Sequence, residues 1–377
     1  MTTAQPNFLI VTTDQQRVDS IGCYGSDFVA TPCLDGMAAD GLRLNRAYCT
    51  NPVCTPSRVS IFTGKQVSRH GAWNVGVNCA PDEIMISHML GRAGYRTHYV
   101  GKAHFQAFGA APELSCESTE GWKSGYGDWH GPYYGFDSVE LALGHINYGI
   151  SGHYGEWVRQ QVDAEKVTSW TEIRNLSGYT FGGNAYDWSI PLQFHNSVWT
   201  ADRTIDFLQS HDTRQPFLLA VGFQDPHHPH AVPTEFQERV DPSDVPESDF
   251  ILDELADKPP HFLEAHEGRL EESAMRGDFW FAGQGPGHDY RQVTEDAARL
   301  GRAYYYTMVQ LIDQQMGRIL AALDSLGLAE NTFIIFTSDH GVYFGEHGGL
   351  FGKQMSLKSK KIPYKFRSIH KWIRSPL

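Results

Sequence analysis

Two short polar segments, Asp14-Gln15 near the start of the chain and Asp339-His340 near its end, each follow an apolar, β-rich run. Together they offer two carboxylates, an amide and an imidazole. That donor set suits a hard divalent ion such as Ca²⁺, Mg²⁺ or Mn²⁺ better than a zinc site built from thiolates. Taken singly, either aspartate also fits a turn or N-cap role. A third segment, Gly101-Lys102-Ala103-His104, adds an ammonium and an imidazole after another β-rich run, and Gln224-Asp225-Pro226-His227-His228-Pro229-His230 forms a fourth polar loop. The six cysteines, at 23, 33, 49, 54, 79 and 116, include no C-x-x-C pair and no zinc-type spacing, so free thiols in a cytoplasmic setting are expected. Cys54 stands apart through its neighbours, Asn51-Pro52-Val53-Cys54-Thr55-Pro56-Ser57-Arg58.

These groups need elements to hold them. The run from Asn7 to Thr13 reads as a buried strand that delivers Asp14. Thr31 as N-cap, Pro32 at the first helical position and Gly41 as a stop predict a helix, and 42–48 reads as a further strand. Helices are expected from Ser57, closed by Thr63-Gly64, and over 83–93. A strand over 95–100 then delivers Lys102 and His104. The order β, α, β, α, β predicts a mostly parallel, doubly wound sheet, in which ligands bind outside the carboxyl ends of the strands. The polar segments would then converge on one site. Residues 105–190 read as long loops that select substrate, 197–210 as a helix, Pro216–Phe223 as a buried strand, 242–287 as acidic and irregular, 294–326 as the longest helix, and 331–337 as a strand.

With 377 residues, 41% hydrophobic and 20% charged, the chain can bury a large α/β core, which excludes disorder and a miniature scaffold. Lys+Arg 31 against Asp+Glu 44 gives a net charge of -13, so the overall field repels nucleic acid and anionic membranes. An anionic substrate needs a local cationic pocket. No apolar run approaches the roughly 20 residues that span a bilayer, and no secretion signal is read at the N-terminus. The segment 354–377 carries Lys358, Lys360, Lys361, Lys365, Arg367, Lys371 and Arg374 without one acidic residue. A basic docking tail and a truncated or frame-shifted end both fit it.

The run Cys54-Thr55-Pro56-Ser57-Arg58, followed by Thr63-Gly64, closely resembles the signature of the sulfatase family within the alkaline-phosphatase-like superfamily. T-x-D-Q at the N-terminus, G-K-x-H at 101–104, P-H-x-P at 226–229, S-D-H-G at 338–341 and Gly352-Lys353 occur in the family's order. The resemblance implies a catalytic domain over 1–353, with 105–190 as its loop-rich insertion and the usual small C-terminal subdomain apparently truncated. It implies that a formylglycine-generating maturation enzyme reads Cys54, Pro56 and Arg58 and converts Cys54 to formylglycine. The hydrated aldehyde, with one hydroxyl on the metal, would attack the sulfur of a small sulfate monoester, and loss of the second hydroxyl's proton would expel sulfate.

By the same resemblance Asp14, Gln15, position 54, Asp339 and His340 surround the cation. Lys102, Lys353, His227 and Asn78 meet the sulfate. His104 acts as the base of the second step, His227 donates to the departing oxygen, and Arg58 orients position 54. Asn78 equally fits a turn. Gln15 and His340 stand where many members have Asp and Asn, as in choline-sulfatases and phosphonate monoester hydrolases. One fewer carboxylate and one more nitrogen weaken the case for Ca²⁺, the first expectation, and admit Mn²⁺ or Mg²⁺. The pair Lys102 and His104 favours sulfate esters over phosphonates. A phosphonate monoester or phosphodiester hydrolase and a non-catalytic homologue are the alternatives. Aryl, choline and carbohydrate sulfates all remain open as substrate, as does the oligomeric state.

Overall fold

The computed structural model describes residues 5–145, 150–171, 185–247, 252–257, 295–346 and, as backbone, 351–352 and 364–367, with isolated positions between 260 and 267. Its strands are β1 (Asn7–Thr13), β2 (Leu42–Arg43), β3 (Arg96–Gly101), β4 (Ser138–Leu143), β5 (Ala185–Trp188), β6 (Phe217–Gly222), β7 (His230–Pro233), β8 (Thr332–Ser338), β9 (Tyr343–Phe344), β10 (Phe351–Gly352) and β11 (Tyr364–Arg367). Its helices are α1 (Pro32–Asp40), α2 (Cys54–Thr63), α3 (Val67–His70), α4 (Ile86–Arg92), α5 (Thr119–Ser124), α6 (Gly152–Gln161), α7 (Ala164–Thr171), α8 (Asn196–Ser210) and α9 (Glu295–Ser325).

Among the described residues the main sheet has seven strands in the order β2-β11-β8-β1-β6-β3-β4. From β8 to β4 every pairing is parallel, and β11 runs antiparallel to both β8 and β2. A parallel sheet covered on both faces needs strands that are apolar on both sides, which is why β6 reads F-L-L-A-V-G and is buried throughout. Alternate residues feed two cores. Leu9, Val11, Leu219, Val221, Ile334 and Phe336 pack with Trp199, Met308, Ile312 and Met316 of α8 and α9. Ile10, Tyr99, Leu218 and Ala220 pack with Val59 and Phe62 of α2. Each Val, Leu, Ile, Phe or Met among them contributes about 1.5–3 kcal/mol on full burial.

The strand ends approach closely where the polar loops begin. Lys102 N–H donates to the Gly222 carbonyl at 2.7 Å. A Cβ on Gly101 would lie 2.1 Å from that carbonyl oxygen, and one on Gly222 would lie 2.2 Å from the Lys102 carbonyl oxygen. Glycine at both positions is therefore what lets β3 and β6 present their loops side by side.

The structure departs from the sequence expectations at three places. The strand read over 42–48 shrinks to the exposed pair Leu42–Arg43 at the sheet edge, paired antiparallel with β11. Thr31 precedes α1 but makes no side-chain cap; the Asp313 carboxylate of α9 accepts from Cys33 N (3.0 Å) and Leu34 N (2.8 Å) instead. The segment read as loops, 105–190, contains α5, α6, α7, β5 and a strand of the main sheet, β4. Its Gly-rich composition hid β4, whose six residues are flanked by turns. Most of 242–287 lies outside the described residues, and no described helix is long and apolar enough to cross a membrane.

Candidate active site

The carboxyl ends of β1, β8, β3, β4 and β6 and the N-terminus of α2 meet at one place. β1 delivers Asp14, β8 delivers Asp339 and His340, and α2 begins with Cys54; all four side chains are wholly buried. The Cys54 thiol lies 3.5 Å from Asp14 Oδ1 and 3.4 Å from His340 Nε2. Because His340 Nδ1 sits 2.7 Å from the Gly341 carbonyl, which can only accept, Nδ1 carries the proton. The Nε2 lone pair is thereby turned toward Cys54, with Asp339 Oδ1 at 3.8 Å and Asp14 Oδ1 at 4.0 Å.

Arg58, one turn into α2, binds these segments together. Its Nε donates to Asp339 Oδ2 at 2.9 Å, Nη2 to Asp14 Oδ2 at 3.4 Å and Nη1 to the Lys102 carbonyl at 2.7 Å. Burial alone would lower the guanidinium, but the Asp339 and Asp14 carboxylates outweigh it and hold the group raised, so it stays charged. Asp339 Oδ1 also accepts from the backbone N–H of Gln15 (3.0 Å) and of His340 (2.7 Å). Gln15 takes up a left-handed φ of 65° to make that bond, and Tyr305 of α9 donates to its carbonyl at 2.9 Å.

Asp14, Cys54, Asp339 and His340 present one donor atom each, all within 4.8 Å of one another. With an oxygen at position 54 the set is three oxygens and one imidazole, which fits a hard divalent cation. The Gln15 amide points its Oε1 at His228 Nδ1 (3.3 Å), while its buried Nε2 has no partner among the described residues. The end left over is an NH₂ donor, which suits an acceptor rather than a cation; only Oε1, turned to His228 here, could ligate a metal.

Across from this cluster lies a cationic, imidazole-rich wall. Lys102 Nζ, fully buried, contacts Asp14 Oδ2 and sits 2.5 Å from His145 Nε2. The His145 ring stacks on His227 at 3.6 Å, and His227 packs against His228 at 4.0 Å. His104, at a left-handed φ of 55°, stacks on Phe108 at 4.1 Å with its centroid 6.0 Å from His145. An anion entering here meets an ammonium and imidazole rings whose nitrogens donate when protonated.

Asn78 takes up the loop role the sequence equally allowed, one histidine was passed over, and one lysine lies outside the described residues. Asn78 acts as a loop clamp: its Oδ1 accepts from Ala107 N at 2.8 Å and its Nδ2 donates to the Leu114 carbonyl at 2.8 Å, so both ends of the amide are spent on backbone. His145, which follows β4 as Leu143-Gly144-His145, joins the site although the sequence reading passed over it. The signal was present as a histidine just after the strand-like run Val139-Glu140-Leu141-Ala142-Leu143. Lys353 lies outside the described residues.

Glu117 was also missed. Its buried carboxylate accepts from the backbone N–H groups of His104 (2.8 Å), Phe105 (2.8 Å) and Gln106 (3.1 Å) and from the Tyr133 hydroxyl (2.5 Å). Burial raises its carboxyl above the usual range, and these four bonds act to lower it. An acidic residue that holds a loop through main-chain groups leaves no motif in sequence.

A doubly wound α/β scaffold that gathers two buried carboxylates, an N-terminal helix residue and a lysine–histidine wall at its strand ends defines the alkaline-phosphatase-like class of proteins. The chain belongs to the sulfatase family, whose profile matches residues 6–371. It is 28% identical to the sulfatase YidJ of Escherichia coli (strain K12) over 342 residues, covering 90% of this chain and 58% of that protein. It is likewise 28% identical to an arylsulfatase of Clostridium perfringens over 352 residues, covering 90% of this chain and 64% of the relative. The chain therefore spans less than two thirds of the length of either relative. Among solved structures, the phosphonate monoester hydrolase of Agrobacterium radiobacter superposes with a TM-score of 0.73 at 23% identity, over 97% of this chain and 68% of that one.

Proposed function

We propose that the protein hydrolyses a sulfate monoester to an alcohol and inorganic sulfate, with position 54, converted to formylglycine, as nucleophile. The observation that carries this reading is the seat of Cys54: first residue of α2, buried, 3.5 Å from Asp14 and 3.4 Å from His340, with Lys102 across on the same carboxylate. When present, the hydrated aldehyde and a divalent cation held by Asp14, Asp339, His340 and Gln15 supply an oxygen nucleophile of lowered pKa and positive charge against the ester oxygens.

The chain's own residues do the rest. Arg58 fixes both carboxylates and the first turn of α2, so position 54 enters the site at one angle. Lys102 and the ring N–H groups of His227 and His145 balance the charge that builds on the non-bridging oxygens, and they do so in a water-poor pocket where each contact counts for more. His227 donates a proton toward the departing oxygen, and His104, whose position Glu117 sets through the backbone, receives the proton when position 54 releases sulfate. Lys353 completes the anion cradle in this proposal. Ca²⁺ is the first choice of cation, and His340 admits Mn²⁺ or Mg²⁺. The maturation enzyme and the cytoplasmic setting belong to the same proposal.

Mass spectrometry of the Cys54 peptide, followed by assays on an aryl sulfate and an aryl phosphonate, tests it. We expect the aldehyde mass, turnover of the sulfate, loss of that turnover with a chelator and its return with a divalent salt. Cys54→Ala should lower turnover by at least about 10³-fold. Faster turnover of the phosphonate would favour the monoester hydrolase reading, for which Gln15 and His340 speak. No turnover by the aldehyde-bearing, metal-loaded protein would favour a non-catalytic homologue.

A further inference from the structure

Asp14 and Cys54 belong to two donor groups at once. Besides the group with Asp339 and His340, their donor atoms and one ring nitrogen each of His145 and His227 all lie within 4.8 Å of one another. The second group offers a sulfur, two imidazole nitrogens and one carboxylate oxygen. That is the composition of a tetrahedral zinc-class site, whereas the first group is dominated by hard donors. A tetrahedron with bonds of about 2.0–2.3 Å has edges of about 3.3–3.8 Å, so shifts of about 1 Å close the shell. The two rings, stacked with an interplanar angle of 15°, must tilt for their lone pairs to converge. A positive charge already occupies this space: the Lys102 ammonium contacts Asp14 and lies 2.5 Å from His145 Nε2.

We infer that, while Cys54 is still a thiol, Asp14, Cys54, His145 and His227 form a binding site for a soft divalent cation of the Zn²⁺ class. The site shares two ligands with the hard-cation site and differs from it in the other two. On binding, the thiol proton goes to solvent, the Lys102 ammonium is displaced from Asp14 and His145, and nothing is oxidised or reduced. Replacing the sulfur by an aldehyde oxygen removes the soft ligand, so this affinity belongs to the unconverted chain alone. The inference needs only the thiol and the two histidines, and it is independent of which ester the protein hydrolyses.

The test uses the full chain made without a maturation enzyme, its thiol verified by mass spectrometry, and titrated with Zn²⁺ alone or with Co²⁺ as a spectroscopic substitute. We expect one equivalent bound, a sulfur-to-cobalt charge-transfer band in the near ultraviolet and visible bands of tetrahedral intensity. Cys54→Ser should remove the charge-transfer band. Loss of even an outer partner of a metal ligand costs tenfold or more, so His145→Ala, which removes a ligand, should weaken binding by at least about tenfold and by more than His340→Ala, which removes only a neighbour of the Cys54 sulfur at 3.4 Å. X-ray absorption on the zinc-loaded, unsubstituted protein counts ligands without relying on a variant that folds, and one sulfur with two imidazoles is the expected result. No uptake, a single imidazole, or an affinity that depends on His340 rather than His145 would overturn the inference.

Discussion

The two walls of the site are built by different physics. On the wall formed by β1, β8 and α2, Asp14, Asp339, Cys54 and Arg58 are fixed by charge-assisted bonds and backbone donors, and Arg58 alone reaches Asp339, Asp14 and the Lys102 carbonyl. On the wall formed by β3, β4 and β6, the imidazoles of His104, His145 and His227 are layered by ring stacking. Bonded forks fix an angle within narrow limits, and stacked rings allow sliding and tilting at small cost. The comparison teaches that the side carrying Cys54 is preset, while the side carrying the stacked histidines can adapt to what enters.

The most direct way to break the first wall is Arg58→Met, which keeps bulk and removes the charge between two buried carboxylates. Unfolding by urea of the cation-free protein should show a loss of about 3–5 kcal/mol, because one partner of a buried ion cluster has gone. Unchanged stability would mean that the carboxylates are not held by the fork. Next in size is Glu117→Gln, which sharpens the contrast from the other side. Its amide must turn an NH₂ group toward N–H or O–H donors that now meet a carboxylate oxygen, and we expect a stability loss of about 1–3 kcal/mol. Turnover should fall further than KM rises, because the Lys102–Gln106 loop loses its anchor; a change in KM alone would rule out the positioning role.

The effect that is smallest near neutral pH concerns rings lying outside both walls. Burial pushes His153 down to about 4 and His195 and His230 down to about 3. Above pH 6.5 these side chains are neutral whether folded or not, so their contribution is fully present there. As pH falls below 6.5 the unfolded chain takes up protons that the folded one refuses, and stability drops toward pH 4 by up to about 1.4 kcal/mol per pH unit for each ring. His195→Asn, which can still cap α8, should make the slope of stability against pH shallower by one proton's worth. An unchanged slope would assign the acid lability elsewhere.

What could be read in the sequence divides along physical lines. β1, β6 and β8 were legible because strands covered on both faces must be continuously apolar; Asp14 and Asp339 stood out right after β1 and β8, and Lys102 and His227 in the polar loops that follow β3 and β6. Cys54 and Arg58 were legible through their shared run with Pro56. By contrast, β4 and with it His145 were lost in a Gly- and Tyr-rich stretch, where short strands and loops have the same composition. The capping of α1 by Asp313 and the grip of Glu117 on the His104 loop join residues through main-chain groups. Such bonds demand only a carboxylate in the right place and impose no spacing that a reader of sequence could detect.

β1, made long before β6 and β8, lies between them in the sheet, with Val11 opposite both Val221 and Phe336. During synthesis it cannot find its second neighbour until the ribosome has passed residue 338, on the order of 15–55 s after position 54 emerges, at 5–20 residues per second. Throughout that interval Cys54 lacks the cover that Asp339 and His340 later provide, and the proposed maturation enzyme would have its opportunity then. For the conversion of Cys54 proposed above, the place of one strand in a sheet would set the time available.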